Sequence, residues 1–255
     1  DQGVKELTLL GQNVNSWGRD LLPEISTEFG ELLRACDAVD GIERVRFTSP
    51  HPKDFRDPVI AAMAECASVC EHVHLPLQSG SSRLLKAMRR TYTRERYVAL
   101  AEKMRVAIPD LAFGTDIIVG FPGETEDDFR QTLEVVEQVG YDSAFTFVYS
   151  PRAGTEAASM PDQVPHELKI ERMERLVEVV QRGARERNAA RIGRVEEVLV
   201  EGTSRTDESL LRGRTRRNTM VNFTGEAQAG ALVDVLIETS TSTTLRGAQR
   251  ALIAV

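Results

Sequence analysis

A predicted strand, a polar loop and a helix follow one another five times in the first part of the chain, at intervals of about thirty residues. The strands are predicted at 4–10, 44–48, 72–77, 112–119 and 144–149. Repetition of this unit implies a parallel sheet, and the carboxyl ends of its strands meet at one rim. Each strand ends in a loop rich in Gly, Pro, Ser, Asn or Gln, so a ligand site is predicted at that rim.

The fourth unit, at 114–126 (GTDIIVGFPGETE), shows this pattern most clearly. A short β-branched run predicts a buried strand, and Gly120 and Gly123 let the backbone come close to a ligand. Thr125 and Asp128 have the spacing of a helix N-cap. A tight turn that binds nothing is the alternative, but the four similar loops favour a site. Helices are predicted at 28–39, 58–69, 82–88, 94–106 and 126–139.

The second part of the chain differs in character. A long charged helix is predicted at 164–192, and short strands separated by Gly follow it, which is typical of a small closed β-barrel of the oligonucleotide-binding type. We therefore divide the chain into an α/β domain at 1–160, a linking helix at 161–191 and an all-β domain at 192–255. Four arginines lie within six residues and are candidates for phosphate contacts, with a solvated loop as the alternative: Arg212, Arg214, Arg216 and Arg217.

Composition excludes several classes. No apolar run is long enough for a membrane span. The net charge of −7 divides into −8 before residue 191 and +1 from there on, so the charge alone does not indicate a nucleic-acid partner. Three cysteines, at 36, 66 and 70, argue against a disulfide framework and for a reducing, cytoplasmic location. Cys66 and Cys70 would share a helix face, but they lack a third metal ligand at suitable spacing, so we interpret them as core residues.

Long motifs along the chain resemble one family, the radical-SAM methylthiotransferases: LLGQNVNSWG, FTSPHPKDF, HLPLQSGSSRLLKAMRRTYTRERY, TDIIVGFPGETEDDF and FVYSPRAGTEA. The tail, with VLVEG, GRT, VNF and LRG, resembles the TRAM domain of that family. The resemblance covers essentially the whole chain. It implies a partial (β/α)6 TIM-like barrel whose first strand is missing, followed by an OB-like TRAM barrel that binds RNA.

The residues of two motifs, QNVN at 12–15 and SPHP at 49–52, favour the MiaB-type branch, which acts on tRNA. The implied reaction adds a methylthio group to C2 of N6-isopentenyladenosine next to the anticodon. Two alternatives stay open: the sister branch that modifies a ribosomal protein, and a module that only binds RNA. The implied partners are a tRNA anticodon stem-loop and an electron donor, with neither a membrane nor DNA.

The resemblance implies S-adenosylmethionine and two [4Fe–4S] clusters. The family holds one cluster through a Cys-x3-Cys-x2-Cys motif and the other through three cysteines of an N-terminal domain. Neither set is present in this chain, so we expect no catalysis from the fragment alone and assign no catalytic or metal-binding residue. In the family, reduction of the cofactor yields a deoxyadenosyl radical that takes the hydrogen from C2 of the adenine.

The resemblance also implies which rim residues contact the cofactor. The methionine end would meet Gln12, Asn13 and Asn15, and the sugar or carboxylate would meet Gln78 and Ser79. Arg90 would pair with a carboxylate, unless it is a surface residue at a helix end. The adenine would lie against Ile118, Gly120 and Phe121, although Phe121 could equally belong to the core. Further expected contacts are Asp116, which is either a ligand or paired inside the barrel, and, for tRNA, Tyr149 and Arg152.

Overall fold

The computed structural model describes residues 3–19 and 28–250. Five parallel strands form the α/β part: β1 (Glu6–Leu9), β2 (Arg44–Phe47), β3 (His72–His74), β4 (Ala112–Val119) and β5 (Ser143–Val148). The helices between and after them are α1 (Phe29–Asp37), α2 (Asp57–Glu65), α3 (Ser82–Ala87), α4 (Arg94–Ala107), α5 (Glu126–Val139) and α6 (Glu156–Ser159). The predicted parallel βα architecture is confirmed.

The strands lie side by side in chain order, but their hydrogen bonding is interrupted. β1 pairs with β2, and β3, β4 and β5 form a second sheet. A single parallel bridge between Val45 and Val69 connects the two. This bridge explains why the helix predicted at 58–69 ends at Glu65, since the following residues join the sheet edge instead.

The third strand also differs from its predicted range of 72–77. Regular pairing stops at His74, and Pro76 has no N–H to donate to β4. The backbone rejoins β4 at Gln78, whose N–H donates to the Asp116 carbonyl (2.8 Å) and whose carbonyl accepts from the Ile118 N–H (2.9 Å). Gln78 is thereby fixed at the carboxyl end of the sheet.

The two faces of the sheet have different surroundings. Successive side chains of a strand alternate between faces. On β4, Phe113, Ile117 and Val119 pack into the helix-covered core, whereas Asp116 and Ile118 point to the opposite face. We call this second face, with the corresponding side chains of β3 and β5, the lumen face.

The start of α5 matches its predicted cap. Thr125 and Asp128 form a reciprocal capping box. The Asp128 carboxylate also accepts from the Ser81 hydroxyl (2.6 Å) and from the Arg83 guanidinium, which ties α3 to α5. Burial alone would raise the pKa of Asp128, but these hydrogen bonds outweigh it and hold the pKa well below its usual range.

A 24-residue helix, α7 (His166–Ala189), leads into the second part. There, five strands form a closed barrel in the order β10-β8-β7-β6-β9: β6 (Val195–Thr203), β7 (Leu211–Thr215), β8 (Met220–Thr224), β9 (Leu232–Ser240) and β10 (Thr244–Gln249). The predicted small closed barrel is confirmed. Among the described helices, none is long and apolar enough to cross a membrane.

Candidate functional site

A cavity of about 1050 Å³ opens at the carboxyl ends of β3, β4 and β5. Its volume is at the upper end of the range for small-molecule sites. Most of the residues predicted for the rim line this cavity: Gln78, Arg90, Asp116, Ile118, Phe121, Tyr149 and Arg152.

Strained backbone marks the same rim. Ser49, after β2, has φ of 55°, and Gln78, after β3, has φ of 67°. Gly120, directly after β4, has φ of 74°, a conformation that glycine adopts without strain. Left-handed non-glycine residues cost about 1–3 kcal/mol each and cluster at binding sites. One of these strained strand ends, Gln78, lines the cavity, which supports a functional role for this rim.

Two polar atoms in the cavity wall are buried and find no partner among the described residues. They are Nε of Arg90 and the hydroxyl of Tyr149. Buried polar atoms in native structures nearly always have a partner, so these two indicate a ligand. Phe121 packs edge-to-face against Tyr149, with ring centroids 5.3 Å apart. The wall thus offers an aromatic surface and an arginine, which suit a ligand that combines a planar base with a carboxylate.

The loop from Gly120 to Glu124 is held from behind by α7. Glu124 accepts from the Gly120 N–H (2.8 Å) and from Arg172 (2.9 Å), and both charged side chains are almost completely buried. Burial raises the pKa of Glu124, and the hydrogen bond from Gly120 and the Arg172 charge offset part of that effect. Lys169 donates to the Tyr149 carbonyl (3.3 Å) and lies over the Tyr149 ring.

The sequence did not predict these contacts between α7 and the loop. In the sequence, Glu124 stands just before a predicted helix start, where helix N-terminus electrostatics would account for a carboxylate, whereas the structure gives it a buried ion pair. The only local signal is the spacing of Lys169 and Arg172, which lie on the same face of α7.

Asp116 has a structural partner as well as a place in the cavity. Its carboxylate lies 3.1 Å from Nε2 of His74 on the neighbouring strand. Gly114 makes room for the His74 ring, because a Cβ at that position would lie 3.0 Å from Nδ1. The pair occupies the lumen face, two residues further from the carboxyl end of β4 than Ile118.

Other predicted contacts do not line the cavity. The Asn15 amide is used internally, since it donates to the His51 carbonyl (3.1 Å) and accepts from the His51 N–H (2.8 Å). Asn13 donates to Asp54 (2.6 Å), and Gln12 is exposed beside it. Ser79 is fully buried beside Thr132, and Gly120 presents its N–H to Glu124.

The four clustered arginines lie at the other end of the strands. Arg216 binds Glu71 (2.8 Å) just before β3, and Arg217 binds Asp142 (2.6 Å) just before β5. Arg212 and Arg214 both face Glu201. The structure therefore does not bring these arginines together with the cavity.

Two further arginines complete this contact between the domains. Arg44, which is fully buried, donates to the Glu197 carboxylate (2.9 Å) and to the Arg214 carbonyl (2.7 Å). Arg46 donates to the carbonyls of Thr215 and Arg216. The β-barrel is thus fixed to the amino ends of the α/β strands, away from the rim.

The described residues contain no group of three or more His, Cys, Asp or Glu side chains that could hold a metal ion. Cys66 and Cys70 are buried, and burial raises the pKa of both thiols. These two cysteines agree with the interpretation as core residues.

Comparisons with known proteins identify the families that the two parts of the chain match. Residues 1–136 match the Radical SAM superfamily, and residues 189–248 match the TRAM domain. A protein of Clostridium botulinum (strain Okra), named tRNA-2-methylthio-N(6)-dimethylallyladenosine synthase, is 54% identical over 247 residues, which are 96% of this chain and 54% of that protein. A protein of Acetivibrio thermocellus with the same name is 53% identical over 247 residues, covering 96% and 51%.

This chain therefore spans about half the length of the curated relatives it matches. A solved structure also resembles it: the radical SAM enzyme coproporphyrinogen III oxidase from Escherichia coli, with a TM-score of 0.50 and 17% identity. The similarity covers 71% of this chain and 41% of that one. At this identity it concerns the fold alone.

Proposed function

Because the chain belongs to the Radical SAM superfamily, we propose that it supplies the cofactor- and RNA-binding surfaces of a tRNA methylthiotransferase. The proposed reaction adds a methylthio group to C2 of N6-dimethylallyladenosine next to the anticodon. The observation that carries the proposal is the identity of about 54% over 96% of the chain to proteins named for this product. The cavity at the strand ends provides the site.

Membership of this superfamily implies S-adenosylmethionine and an iron–sulfur cluster. The cavity fits the first, since it combines an aromatic surface with buried polar atoms that lack a protein partner. We propose that Arg90 binds its carboxylate and that Phe121 and Ile118 contact its adenine, with Gln78 beside its sugar. When bound next to a reduced cluster, the cofactor supplies radical chemistry. The role of the chain is to orient it and to exclude water.

The described residues offer no group of side chains that could hold a cluster. We propose that the two clusters expected for the family, and the surface for an electron donor, belong to the part of the longer relatives that this chain does not match.

For the tRNA, we propose contacts at the cavity mouth and on the barrel. Tyr149 and Arg152 line the rim where an anticodon stem-loop would enter. On the TRAM barrel, Arg212 and Arg214 share the carboxylate of Glu201, and they are better candidates for phosphates than Arg216 and Arg217, which bind Glu71 and Asp142. A tRNA substrate would place the reaction in the cytoplasm.

The test is a chimera in which this chain replaces the matching 54% of the Clostridium botulinum relative. It is expressed in a bacterium that lacks its own tRNA methylthiotransferase, and the methylthio nucleoside in tRNA is measured by mass spectrometry. We expect product from the chimera and at least a tenfold loss on Arg90→Ala, because a bidentate contact to the cofactor is removed. Arg205→Ala, at an exposed position of the barrel, is the matched control and should keep full product.

Three outcomes would contradict the proposal in whole or in part. A folded chimera that cleaves S-adenosylmethionine without forming the tRNA product would move the substrate to another class. Equal product from the Arg90→Ala and Arg205→Ala chimeras would refute the assignment of Arg90. A chimera that binds tRNA but cleaves no cofactor would favour a module that only binds RNA.

A further inference from the structure

Two phenylalanines on the lumen face of β5 are unusually exposed. Phe145 is 63% exposed and Phe147 is 51% exposed, although both belong to a regular strand. Their neighbours Ala144 and Val148 pack into the helix-covered core instead. Adjacent exposed aromatic side chains on one strand face indicate a binding surface. Phe147 lines the cavity described above, so this surface continues the candidate site.

The strand register places a polar group beside this apolar surface. Asp116 of β4 is directly opposite Phe145, and Ile118 is directly opposite Phe147. The His74 ring, which faces the Asp116 carboxylate, lies 5.9 Å from the Phe145 ring. The pair Asp116 and Phe145 therefore places a hydrogen-bond acceptor beside an aromatic ring on the lumen face. The next pair toward the rim, Ile118 and Phe147, is apolar on both strands.

We propose that this wall, formed by Asp116, Phe145 and Phe147, selects an adenine that carries one branched apolar substituent on N6. The inference rests on the proposed function for its choice of nucleobase. A mono-alkylated exocyclic amine keeps one N–H, which Asp116 accepts, while its alkyl group lies on the phenyl rings. His74 is a positioning residue that fixes the carboxylate. The cavity volume leaves room for this base beside the cofactor.

The alkyl group is favoured over other occupants by the order of the groups on the wall. A second protein segment packing here would bury the Asp116 carboxylate between aromatic rings with His74 as its only described partner. A small alkyl group on N6 can contact the two phenyl rings while the Asp116 carboxylate accepts the hydrogen bond from the N6 amine. The mixture of one acceptor and two rings matches the chemistry of an N6-alkyl adenine.

The experiment uses the 255-residue chain and free nucleosides in ligand-observed NMR titrations. Wild-type protein is expected to bind N6-isopentenyladenosine about tenfold more tightly than adenosine, because the alkyl group is buried on the rings. Phe145→Ala and Phe147→Ala should each reduce that preference to about threefold or less. Val106→Ala, which removes an 83% exposed side chain on α4, is the matched control and should leave the preference unchanged.

Two additional measurements distinguish direct contact between the ligand and the wall from a general change in the fold. The double variant Phe145→Leu/Phe147→Leu keeps an apolar wall, so the preference should persist while the upfield ring-current shift of the ligand methyl protons decreases. Asp116→Ala should weaken binding of both nucleosides but not of N6-methyl-N6-isopentenyladenosine, which has no N6–H. Circular dichroism checks that each variant is folded.

An unchanged preference in the phenylalanine variants, or no preference in the wild-type chain, would overturn the inference. Product from the chimera described above would then leave the proposed function standing. If the variants lose the preference and the chimera is inactive, the role of the wall in binding the alkyl group would be supported, but the proposed methylthio transfer would not.

Discussion

The buried ion pair behind the Gly120–Glu124 loop gives a prediction with a characteristic pH dependence. The perturbation is Arg172→Met, which keeps an apolar stem of similar length and removes the charge. Glu124 then loses its cation while its side chain is only 1% exposed. A carboxylate in that position is costly unless it takes up a proton.

The loss of stability is limited by the free energy that Glu124 needs to take up a proton. Protonating a carboxyl group with a usual pKa of 4.5 at pH 7 costs about 3.4 kcal/mol, which bounds the electrostatic loss. Loss of the hydrogen bond from Arg172 to the Glu124 carbonyl (3.0 Å) adds about 1 kcal/mol. We therefore expect the free energy of unfolding at pH 7 to fall by about 3–4 kcal/mol.

The pH dependence gives the sign of the effect. In the variant, the pKa of Glu124 is raised further in the folded state, so the folded state binds more protons than the unfolded state between pH 5 and pH 7. Stability of the variant relative to wild type must then rise on acidification. At pH 5 the electrostatic loss should shrink to about 1 kcal/mol. The measurement is urea unfolding followed by circular dichroism at both pH values.

Arg175→Met is the matched control, three residues further along α7. Arg175 binds Glu126 and Glu171, but its side chain is 40% exposed. Its loss should cost less than about 1 kcal/mol at either pH. Adding Glu124→Gln to Arg172→Met should remove the pH dependence. Equal costs for the two arginine variants, or a cost of Arg172→Met that does not change with pH, would refute this reasoning.

Three further predictions concern other parts of the fold. Gly80→Ala should lower stability by more than about 2 kcal/mol, because a Cβ there would lie 2.5 Å from α5 backbone; Gly183→Ala, in open space on α7, should instead raise the urea midpoint. The low pKa of Asp128 contributes stability that is present above pH 4 and is lost on further acidification, so Asp128→Asn should flatten the acid side of the stability profile. A thiol reagent should label the half-buried Cys36 in the native chain faster than the two buried cysteines, which should react only after unfolding.

Much of the secondary structure could be predicted because its signals are local. The fourth strand was predicted at 112–119 and the helix after it at 126–139, and both have these bounds in the structure. The N-cap at Thr125 and the proline in the first turn of α2 are side chain–backbone effects within a few residues. The errors lie where a distant segment competes, as at 66–69, which joins β2 instead of extending α2.

The candidate site could be predicted in part. The cavity at the carboxyl ends of the strands follows from the parallel βα order, and seven of the predicted residues line it. Asn15 and Ser79 were included because of their position in a motif, but each is buried and bonded within the protein. Whether a polar side chain at a strand end faces the cavity or the neighbouring loop depends on backbone dihedrals that the motif does not reveal.

The sequence by itself determined the repeated βα units, the closed barrel that follows them and the edge at which ligands bind, since hydrophobic periodicity and turn residues act over short distances. Only the tertiary structure decided the partner of each charge. Arg216 finds Glu71 at 145 residues' separation, and Arg44 finds Glu197 at 153. An arginine cluster has the same sequence whether it meets phosphates or carboxylates. Its partner is decided by the packing of the whole chain, because a buried charge requires an opposite charge nearby.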